Sequence, residues 1–273
     1  MFLLLDKSKG ISSFKYIRDY ARENNIKKIG HTGTLDPLAT GLLLIATDDD
    51  TKLIDFIDKG EKTYVAEMEM GFTSDTYDIE GEVKETGVEI PSEKEIIKAL
   101  MSFEGEQEQM PPAFSAKKIN GQTAYKLARE GKEVKLKPSL VSINKIKFIN
   151  RIDNKITFEV NVSRGTYIRS IIHDLGAKLK CGAIMTELRR TTIGPLTEEN
   201  IGIDINIEKL LTLPVINIDK EELEKLKHGI SISNKTNKKG QFIIKVNNVI
   251  CGIVTLTDVI KSNKLFGNKI DTI

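Results

Sequence analysis

The chain has 273 residues, 40% of them hydrophobic, which is enough for one large core and a small additional domain. No apolar run is long enough to span a bilayer, and Asp6 follows the apolar Met1–Leu5 segment too soon for a signal peptide. The two cysteines, Cys181 and Cys251, lie outside any CxxC pattern, so we expect free thiols in a reducing cytoplasm.

The net charge is only +2, but acidic and basic residues are segregated along the chain. Residues 61–110 contain 14 acidic and 4 basic side chains, whereas residues 113–155 contain 11 basic and 3 acidic ones. A basic block this concentrated favours a polyanionic partner such as RNA or DNA. The alternative is that the two blocks face each other in the folded protein.

Hydrophobic periodicity predicts alternating strands and helices over the first 200 residues. In chain order we predict a strand at Met1–Leu5, a helix at Ser12–Asn25, a loop at Gly30–Gly41, a strand at Leu42–Ala46, a strand at Thr63–Phe72, a helix opened by a capping box at Ser92, a helix at Thr123–Glu130, a strand at Ile156–Val162, an amphipathic helix at Thr166–Leu179 and a strand at Thr186–Ile193. The continuous apolar run of Leu42–Ala46 is typical of a strand covered on both faces.

The pattern changes after Pro214. A short helix follows, with Asp219 as its N-cap, and then two strands at Phe242–Val246 and Val249–Leu256. Asn247-Asn248 between these strands is a hairpin signal. We interpret residues 211–273 as a small, mostly β domain appended to a first domain of residues 1–210.

Metal and nucleotide sites have no support in the sequence. The three histidines are scattered and form no HxxxH or HxH pair, so we expect no metal. The glycine-rich stretch GHTGTLDP lacks the GK[ST] ending of a P-loop and does not fit GxGxxG.

Carboxylate chemistry at Asp36 is the remaining candidate. This aspartate is the only acidic or basic residue of the stretch GHTGTLDPLATGLLLIAT, apart from His31. An ionised aspartate in a dry site needs a cationic partner, and arginine suits this role because it stays charged and binds carboxylates bidentately. Arg169, off the apolar stripe of its predicted helix, is a candidate. Such a pair should lower the pKa of Asp36 and burial should raise it. The alternative interpretation of Asp36 is a simple Asp-Pro turn.

Several segments, in order from about residue 3 to residue 196, resemble the motifs of the TruB-type tRNA pseudouridine synthases. They are LLLDKSKGISS, GHTGTLDPLATGLLLI, KTYVAEMEMGFTSDTYDIEGE, QMPPAFSAKKINGQTAYKLAREGKEV, VSRGTYIRSIIHDLG and LRRTTIG. The resemblance implies an α+β fold, in which helices flank a mixed, largely antiparallel sheet. It also implies a basic RNA-binding insertion at about residues 104–138 and a PUA-like C-terminal domain.

The same resemblance implies conversion of the T-loop uridine (uridine-55) of tRNA to pseudouridine, without cofactor or metal, by a cytoplasmic enzyme that we expect to be a monomer. Asp36 matches the essential aspartate, Tyr64 the active-site tyrosine and Arg169 the arginine that pairs with the aspartate. On pattern alone, the favoured interpretation of Tyr64 is a core aromatic on an alternating strand.

Further matched residues are expected to bind RNA or pack the site. They are His31, Lys7, Asp75, Tyr167, Lys117, Lys118 and Arg129. His31 could instead be a turn residue that bonds its own loop, and Asp75 a loop cap. In the appended domain, charge and the resemblance in fold lead us to expect Lys235, Lys238, Lys239 and Lys245 near the acceptor stem.

Two positions depart from the family pattern. Ser8 replaces the proline of DKPxG, which predicts a less rigid loop, and Phe114 replaces the tyrosine of PPxYSA. Two rival functions stay open: a tRNA-binding protein whose catalysis is incidental, and a member of the guide-dependent branch of the same superfamily. The long insertion favours the stand-alone branch.

Overall fold

The computed structural model of the protein describes residues 1–58, 60–119, 121–132, 134–271 and 273. Within these residues the strands, in chain order, are β1 (Phe2–Lys7), β2 (Ile29–His31), β3 (Thr40–Thr47), β4 (Lys62–Met70), β5 (Phe72–Thr73), β6 (Lys84–Glu85), β7 (Gly105–Gln109), β8 (Lys118–Ile119), β9 (Gln122–Thr123), β10 (Ser139–Ile152), β11 (Lys155–Val162), β12 (Ala183–Ile193), β13 (Val215–Asn217), β14 (Ile232–Ser233), β15 (Gly240–Val246), β16 (Val249–Leu256) and β17 (Val259–Leu265).

The helices of the described residues are α1 (Ser13–Glu23), α2 (Glu93–Met101), α3 (Ala124–Arg129), α4 (Ile168–Lys178), α5 (Lys220–Lys227) and α6 (Gly267–Ile270), with 3₁₀ segments at Asp48–Phe56, Glu198–Asn200 and Ile207–Leu210. Ser92 and Asp219 form complete capping boxes before α2 and α5, as their sequences predict. Among the described residues, no helix is long and apolar enough to cross a membrane.

The main sheet has the strand order β1-β3-β12-β4-β11-β10-β7, with β2 beside β3. Its pairs are antiparallel except for β12 with β3, which is parallel. This confirms the predicted mixed, largely antiparallel sheet. Strands β7 and β10 also bring the end of the acidic segment beside the basic segment, so the two charge blocks are partly neighbours.

Strand β3 is buried on both faces, as its uninterrupted apolar sequence predicts. Leu43 and Ile45 pack with Ile17 of α1 on one side. Leu42 and Leu44 face the opposite cluster, which joins β1 to residues of the C-terminal region. The strand that follows the Asp36 loop is therefore held between two cores.

Helices α2 and α4 cover the other part of the sheet. Their apolar residues, including Leu100 and Leu175, share one core with Met68 of β4 and Phe158 of β11. This packing fixes α4 relative to the sheet, and Arg169 lies in the first turn of α4.

The C-terminal region has its own five-stranded sheet, with the order β13-β15-β16-β17-β14. Asn247 and Asn248 form its tight hairpin with φ values of 47° and 66°, as the sequence predicts. One face covers α5, and the other joins the β1–β3 core through Ile243 and Ile253. The second sheet begins at Val215, and the domain boundary after residue 210 stays a prediction.

Several observed elements differ from the predicted ones. The predicted Gly30–Gly41 loop contains β2 at its start and runs into β3, which begins at Thr40. Strand β4 ends at Met70, because Gly71 takes a φ of +91° and Phe72 starts a new hairpin. The 14-residue strand β10 has no counterpart in the sequence prediction.

Candidate active site

Asp36 lies in the loop between β2 and β3, where apolar neighbours hold it in place. Leu35 and Leu38 are 4% and 2% exposed and belong to the main core. The Asp36 side chain between them keeps 33% of its surface exposed. The loop therefore buries its flanks and leaves one carboxylate partly open to a ligand.

Hydrogen bonds from Gly10 and from Ser13, at the start of α1, fix this aspartate loop. The Ser13 hydroxyl donates to the Leu35 carbonyl at 2.9 Å and accepts from the Leu35 amide at 2.8 Å. The Gly10 amide donates to the Pro37 carbonyl at 2.8 Å. Both residues next to Asp36 are thus anchored through their backbones.

Arg190 of β12 closes the same loop from the other side. This residue is 1% exposed, and its guanidinium donates to Leu42 O at 2.7 Å and to Gly33 O at 3.2 Å. Gly41 has a φ of +98°, and a Cβ there would lie 2.3 Å from the Arg190 carbonyl. The close approach of β3 to β12 therefore requires glycine at this position.

Arg169 contacts both oxygens of the Asp36 carboxylate. Its Nη2 donates to Oδ1 at 3.1 Å, and its Nε lies 2.9 Å from Oδ2 in a charge contact that is not aligned as a hydrogen bond. The guanidinium also donates to Thr76 O at 2.9 Å and to Phe114 O at 3.0 Å. With a side chain only 5% exposed, Arg169 has little freedom to leave this position.

Burial decides the pKa of Asp36. Desolvation raises the pKa of this carboxyl above its ordinary value of 3.8, and the attraction of Arg169, the next largest effect, only partly offsets the rise. Asp78 adds a further rise by charge repulsion. The structure thus ranks the two opposing effects expected from sequence. When it is ionised, this carboxylate is a poorly hydrated anion, which is the state a nucleophile or base needs.

Asp78 and Glu80 are acidic residues of this site that the sequence analysis did not single out. Asp78 Oδ2 lies 3.5 Å from Arg169 Nη1, and Asp78 Oδ1 accepts from the Thr76 hydroxyl at 2.6 Å. The Glu80 side chain is exposed, and partial desolvation, followed by repulsion from Asp78 and Asp36, raises its pKa. The second aspartate of the segment TSDTYDIEG was the available signal for Asp78.

Asp75 caps the loop that carries Asp78. Its Oδ1 accepts from the Glu82 amide at 2.9 Å, and a Cβ on Gly81 would lie 2.3 Å from the same oxygen. This geometry agrees with the loop-cap interpretation of Asp75. The chain folds back on itself here so tightly that residue 81 has no room for a side chain.

Tyr64 lies on β4, 8% exposed, opposite Val160 of β11 and Arg190 of β12. Its ring belongs to the core cluster that contains Leu35 and Ile168, the residues next to Asp36 and Arg169. The tyrosine is therefore a core aromatic in the same cluster as these two residues, and its role in the active site stays a prediction.

Tyr167 immediately precedes α4 and is fixed by Gln109. Its amide donates to Gln109 Oε1 at 2.8 Å, and its carbonyl accepts from Gln109 Nε2 at 3.0 Å. Burial raises the pKa of the Tyr167 phenol, while Ser115 and Arg169 oppose the rise. Tyr167 thus lies within the electrostatic influence of Arg169 and Asp36, and its role in packing the site stays a prediction.

Lys7 is fully buried, and its ammonium donates to the carbonyls of Ser8, Ile11 and Pro37 at 2.7–3.2 Å. These bonds tie the loop that lacks the family's proline to the Asp36 loop. Burial lowers the pKa of Lys7 to about 8, and Asp36 opposes the shift. A contact of this ammonium with RNA would require the loop to move.

The remaining predicted RNA contacts are His31, Lys117, Lys118 and Arg129. His31 ends β2 and pairs with Ile45 of β3. Lys117 binds the Ser139 hydroxyl, whereas Lys118 and Arg129 are exposed on the insertion. The Arg129 guanidinium lies 5.4 Å from the centre of the Tyr125 ring.

The described residues contain no group of three or more His, Cys, Asp and Glu side chains arranged to hold a metal ion. Both cysteines are buried free thiols. The centre is thus built from two aspartates, one glutamate, a buried arginine and a buried lysine, with backbone carbonyls as further partners.

Comparison with known proteins identifies the class to which this fold and site belong. Residues 21–168 match the TruB family pseudouridylate synthase (N-terminal domain), and residues 169–228 match the tRNA pseudouridylate synthase B C-terminal domain. The chain therefore belongs to the TruB family of pseudouridylate synthases, an enzyme family, which confirms the resemblance drawn from the motifs.

Curated relatives match over nearly their full length. The chain is 46% identical to the tRNA pseudouridine synthase B of Mycoplasma mobile, covering 100% of this chain and 97% of that one. It is 43% identical to that of Mycoplasmopsis pulmonis, covering 99% and 96%.

A solved structure shares the fold at lower identity. A chain of a Cbf5-Nop10-Gar1 complex superposes with a TM-score of 0.65 at 23% identity, covering 97% of this chain and 84% of that one. The α+β architecture is thus shared with a chain of that complex.

Proposed function

We propose that this protein isomerises the T-loop uridine of tRNA, uridine-55, to pseudouridine. The observation that carries the proposal is the pair of Asp36 and Arg169, in a chain of the TruB family. The names of relatives at 46% and 43% identity support tRNA as the substrate. The full-length match to these relatives favours the stand-alone branch over a guide-dependent one.

The reaction breaks the C1′–N1 glycosidic bond, turns the uracil and forms a bond from C1′ to C5. The C5 proton leaves and N1 gains a proton, so the product is an isomer of the substrate. Nothing is oxidised and no group is imported, which is why we propose no cofactor and no metal. Asp36 supplies the carboxylate that adds to the ribose or to the uracil ring, or that assists loss of the base.

Arg169 keeps Asp36 oriented and ionised during this reaction. Its guanidinium spans both carboxylate oxygens and is itself held by the carbonyls of Thr76 and Phe114. An arginine fixed on several sides orients the carboxylate without a reorganisation cost at the time of reaction. Tyr64 stacks on the uracil and helps to remove the C5 proton.

The target base must leave the folded T-loop, which costs a few kcal/mol in unstacking. We propose that the exposed cations of the insertion bind RNA phosphates and offset this cost. They include Lys118, Lys126, Arg129, Lys132, Lys135 and Lys137. His31 would contact the displaced nucleotides, and residues 211–273, as a PUA-like domain, would contact the acceptor stem. The enzyme would act as a monomer in the cytoplasm.

The test is to map pseudouridine in a tRNA transcript treated with the purified protein, by carbodiimide chemistry or mass spectrometry. We expect one pseudouridine, at uridine-55, without added guide RNA, metal or cofactor. Modification elsewhere, or a requirement for a guide RNA, would contradict the proposed substrate.

The same assay separates an enzyme from an RNA-binding protein. The Asp36→Asn variant should bind the transcript and leave uridine-55 unmodified. Pseudouridine formation by Asp36→Asn would overturn the proposed role of this carboxylate.

A further inference from the structure

Tyr77 has a backbone conformation that is rare for an aromatic residue. Its φ is +66°, in the left-handed region that glycine and asparagine tolerate and bulky side chains avoid. Its ring stacks on His173 of α4, with the ring centroids 3.8 Å apart and the planes 12° from parallel. A strained residue next to a functional centre, held by a specific contact, points to a functional constraint.

The stack lies on the same face of α4 as Arg169. Residues 169 and 173 are one helical turn apart, so their side chains project from one side of the helix. Arg169 donates to Thr76 O and approaches Asp78, while His173 covers Tyr77. Three successive loop residues, 76 to 78, are thus docked on one face of this helix.

The backbone of Tyr77 is fixed as well. Its carbonyl accepts from the Met185 amide of β12 at 3.0 Å, and its amide donates to Ser74 O at 3.2 Å. The left-handed turn at Tyr77 separates the Thr76 carbonyl from the Asp78 carboxylate and allows both to face Arg169. A right-handed or extended conformation at residue 77 would direct Asp78 elsewhere.

The stack is an aromatic contact between two uncharged rings at neutral pH. Burial lowers the pKa of His173 below its ordinary value of 6.5, and the neighbouring Asp174 only partly opposes this. Burial raises the pKa of the Tyr77 phenol. Aromatic pairs of this kind stabilise a fold beyond simple burial, and this offsets the strain of a left-handed residue.

We propose that Tyr77 and His173 are positioning residues for pseudouridine formation. Their stack holds the strained turn that presents Thr76 O and Asp78 to Arg169, and thereby fixes the guanidinium that orients Asp36. The inference rests on the proposed function, in which Asp36 performs the chemistry. Neither ring is required to touch the substrate.

The experiment compares variants that separate the ring from the backbone. Tyr77→Asn removes the ring and introduces a residue type that tolerates the left-handed conformation. Tyr77→Phe keeps the ring and removes only the hydroxyl. His173→Leu and His173→Phe form the matching pair on α4. Steady-state kcat and KM are measured on a T-stem-loop transcript, and thermal unfolding is recorded for each variant.

We expect Tyr77→Asn and His173→Leu to lower kcat on the order of 10- to 100-fold, because small displacements of catalytic groups cost that much. KM should change less than about two-fold, since the stack is not an RNA contact. Tyr77→Phe and His173→Phe should stay near the wild-type kcat. The double variant Tyr77→Asn/His173→Leu should lose no more kcat than the more impaired of the two single variants, because the two residues act as one unit.

The proposal is overturned if Tyr77→Asn keeps the wild-type kcat, including the case in which its unfolding temperature falls and kcat does not. It is equally overturned if the phenylalanine variants lose as much kcat as Tyr77→Asn and His173→Leu, since the stack would then not be the cause. Asp36→Asn is measured in parallel. Activity of that variant contradicts the proposed function, and the kcat values of the Tyr77 and His173 variants judge the stack separately.

Discussion

Arg169 and Asp36 are 133 positions apart in sequence, yet the guanidinium of one spans both carboxylate oxygens of the other. Attraction of this kind lowers a carboxyl pKa, but the net pKa shift at Asp36 is upward because desolvation is larger. The ionised carboxylate is therefore less favourable in the folded protein than in water. The ionised Asp36 therefore lowers the stability of the fold, a cost that its proposed role in the reaction explains.

Replacing Asp36 by asparagine should abolish activity and stabilise the fold. We expect the rate of pseudouridine formation to fall by roughly 10⁴-fold or more, as when other catalytic carboxylates and nucleophiles are removed. The pKa of Asp36 is higher in the folded protein than in the unfolded chain. The ionised Asp36 carboxylate therefore destabilises the fold at every pH above its folded-state pKa. The variant should therefore unfold at a higher temperature than the wild type at pH 7.

The stability difference between Asp36→Asn and wild type should shrink as the pH falls toward the ordinary aspartate value of 3.8, because the wild-type carboxyl then takes up its proton. Thermal unfolding at several pH values measures it. Asp55→Asn, at an acidic residue outside the centre, is the control. A variant less stable than wild type at pH 7 would show that the ion pair outweighs desolvation.

A lysine cannot replace Arg169, although it keeps the charge. The guanidinium serves Asp36, Thr76 O and Phe114 O at once, and a single ammonium cannot span these acceptors. We expect Arg169→Lys to lower kcat by about 10²–10³-fold and the free energy of unfolding by about 1–3 kcal/mol. Arg164→Lys, at an exposed arginine of the preceding turn, is the control and should change neither.

Local sequence signals predicted the elements that depend on local interactions. The capping boxes at Ser92 and Asp219 and the Asn247-Asn248 hairpin are short-range patterns, and the structure contains all of them. Strand β10 was missed because register shifts after Ile143 and Phe148 break its alternation of apolar and polar residues.

The candidate site could be predicted only in part, for a related reason. The need of a buried aspartate for an arginine is elementary electrostatics, and the motifs supplied Arg169. The roles of Asp78 and Arg190 arise where β12 and the loop after β5 meet the Asp36 loop. Such contacts between distant segments leave no periodicity in the sequence. The ranking of desolvation over ion pairing also needed the actual burial of Asp36.

Asp78 should move the acid limit of activity to higher pH without taking part in the reaction. Its charge raises the pKa of Asp36, so Asp78→Asn should lower that pKa and move the acid limb of kcat/KM to lower pH. Asp75→Asn, in the same loop, keeps an acceptor for the Glu82 amide and should leave the limb in place. An acid limb that moves to higher pH in Asp78→Asn would contradict this assignment.

Gly41→Ala should destabilise the protein by more than the usual cost of placing an alanine in a left-handed conformation. Its φ of +98° costs an alanine about 1–2 kcal/mol, and the clash of its Cβ with the Arg190 carbonyl adds about 1–3 kcal/mol. Gly229→Ala is a matched control, because Gly229 has a φ of +76° with open space around the position of a Cβ. Chemical denaturation measures both, and equal losses would contradict the close approach.

The insertion should contribute to RNA affinity through charge, and the salt dependence of binding should reveal it. Arg129 and Lys118 are exposed on the insertion, so each neutralises about one phosphate if it lies along the RNA backbone. We expect Arg129→Ala and Lys118→Ala each to weaken binding and to reduce the slope of log K against log salt by about 0.7–0.9. Lys94→Ala, at an exposed lysine of the acidic segment, should leave the slope unchanged.

Filter binding of a T-stem-loop transcript between 50 and 200 mM salt, roughly the range over which such slopes are read, measures this. Equal slopes for the wild type and the two insertion variants would mean that these cations do not meet phosphates, and that the segregation of charge in residues 113–155 serves contacts within the protein.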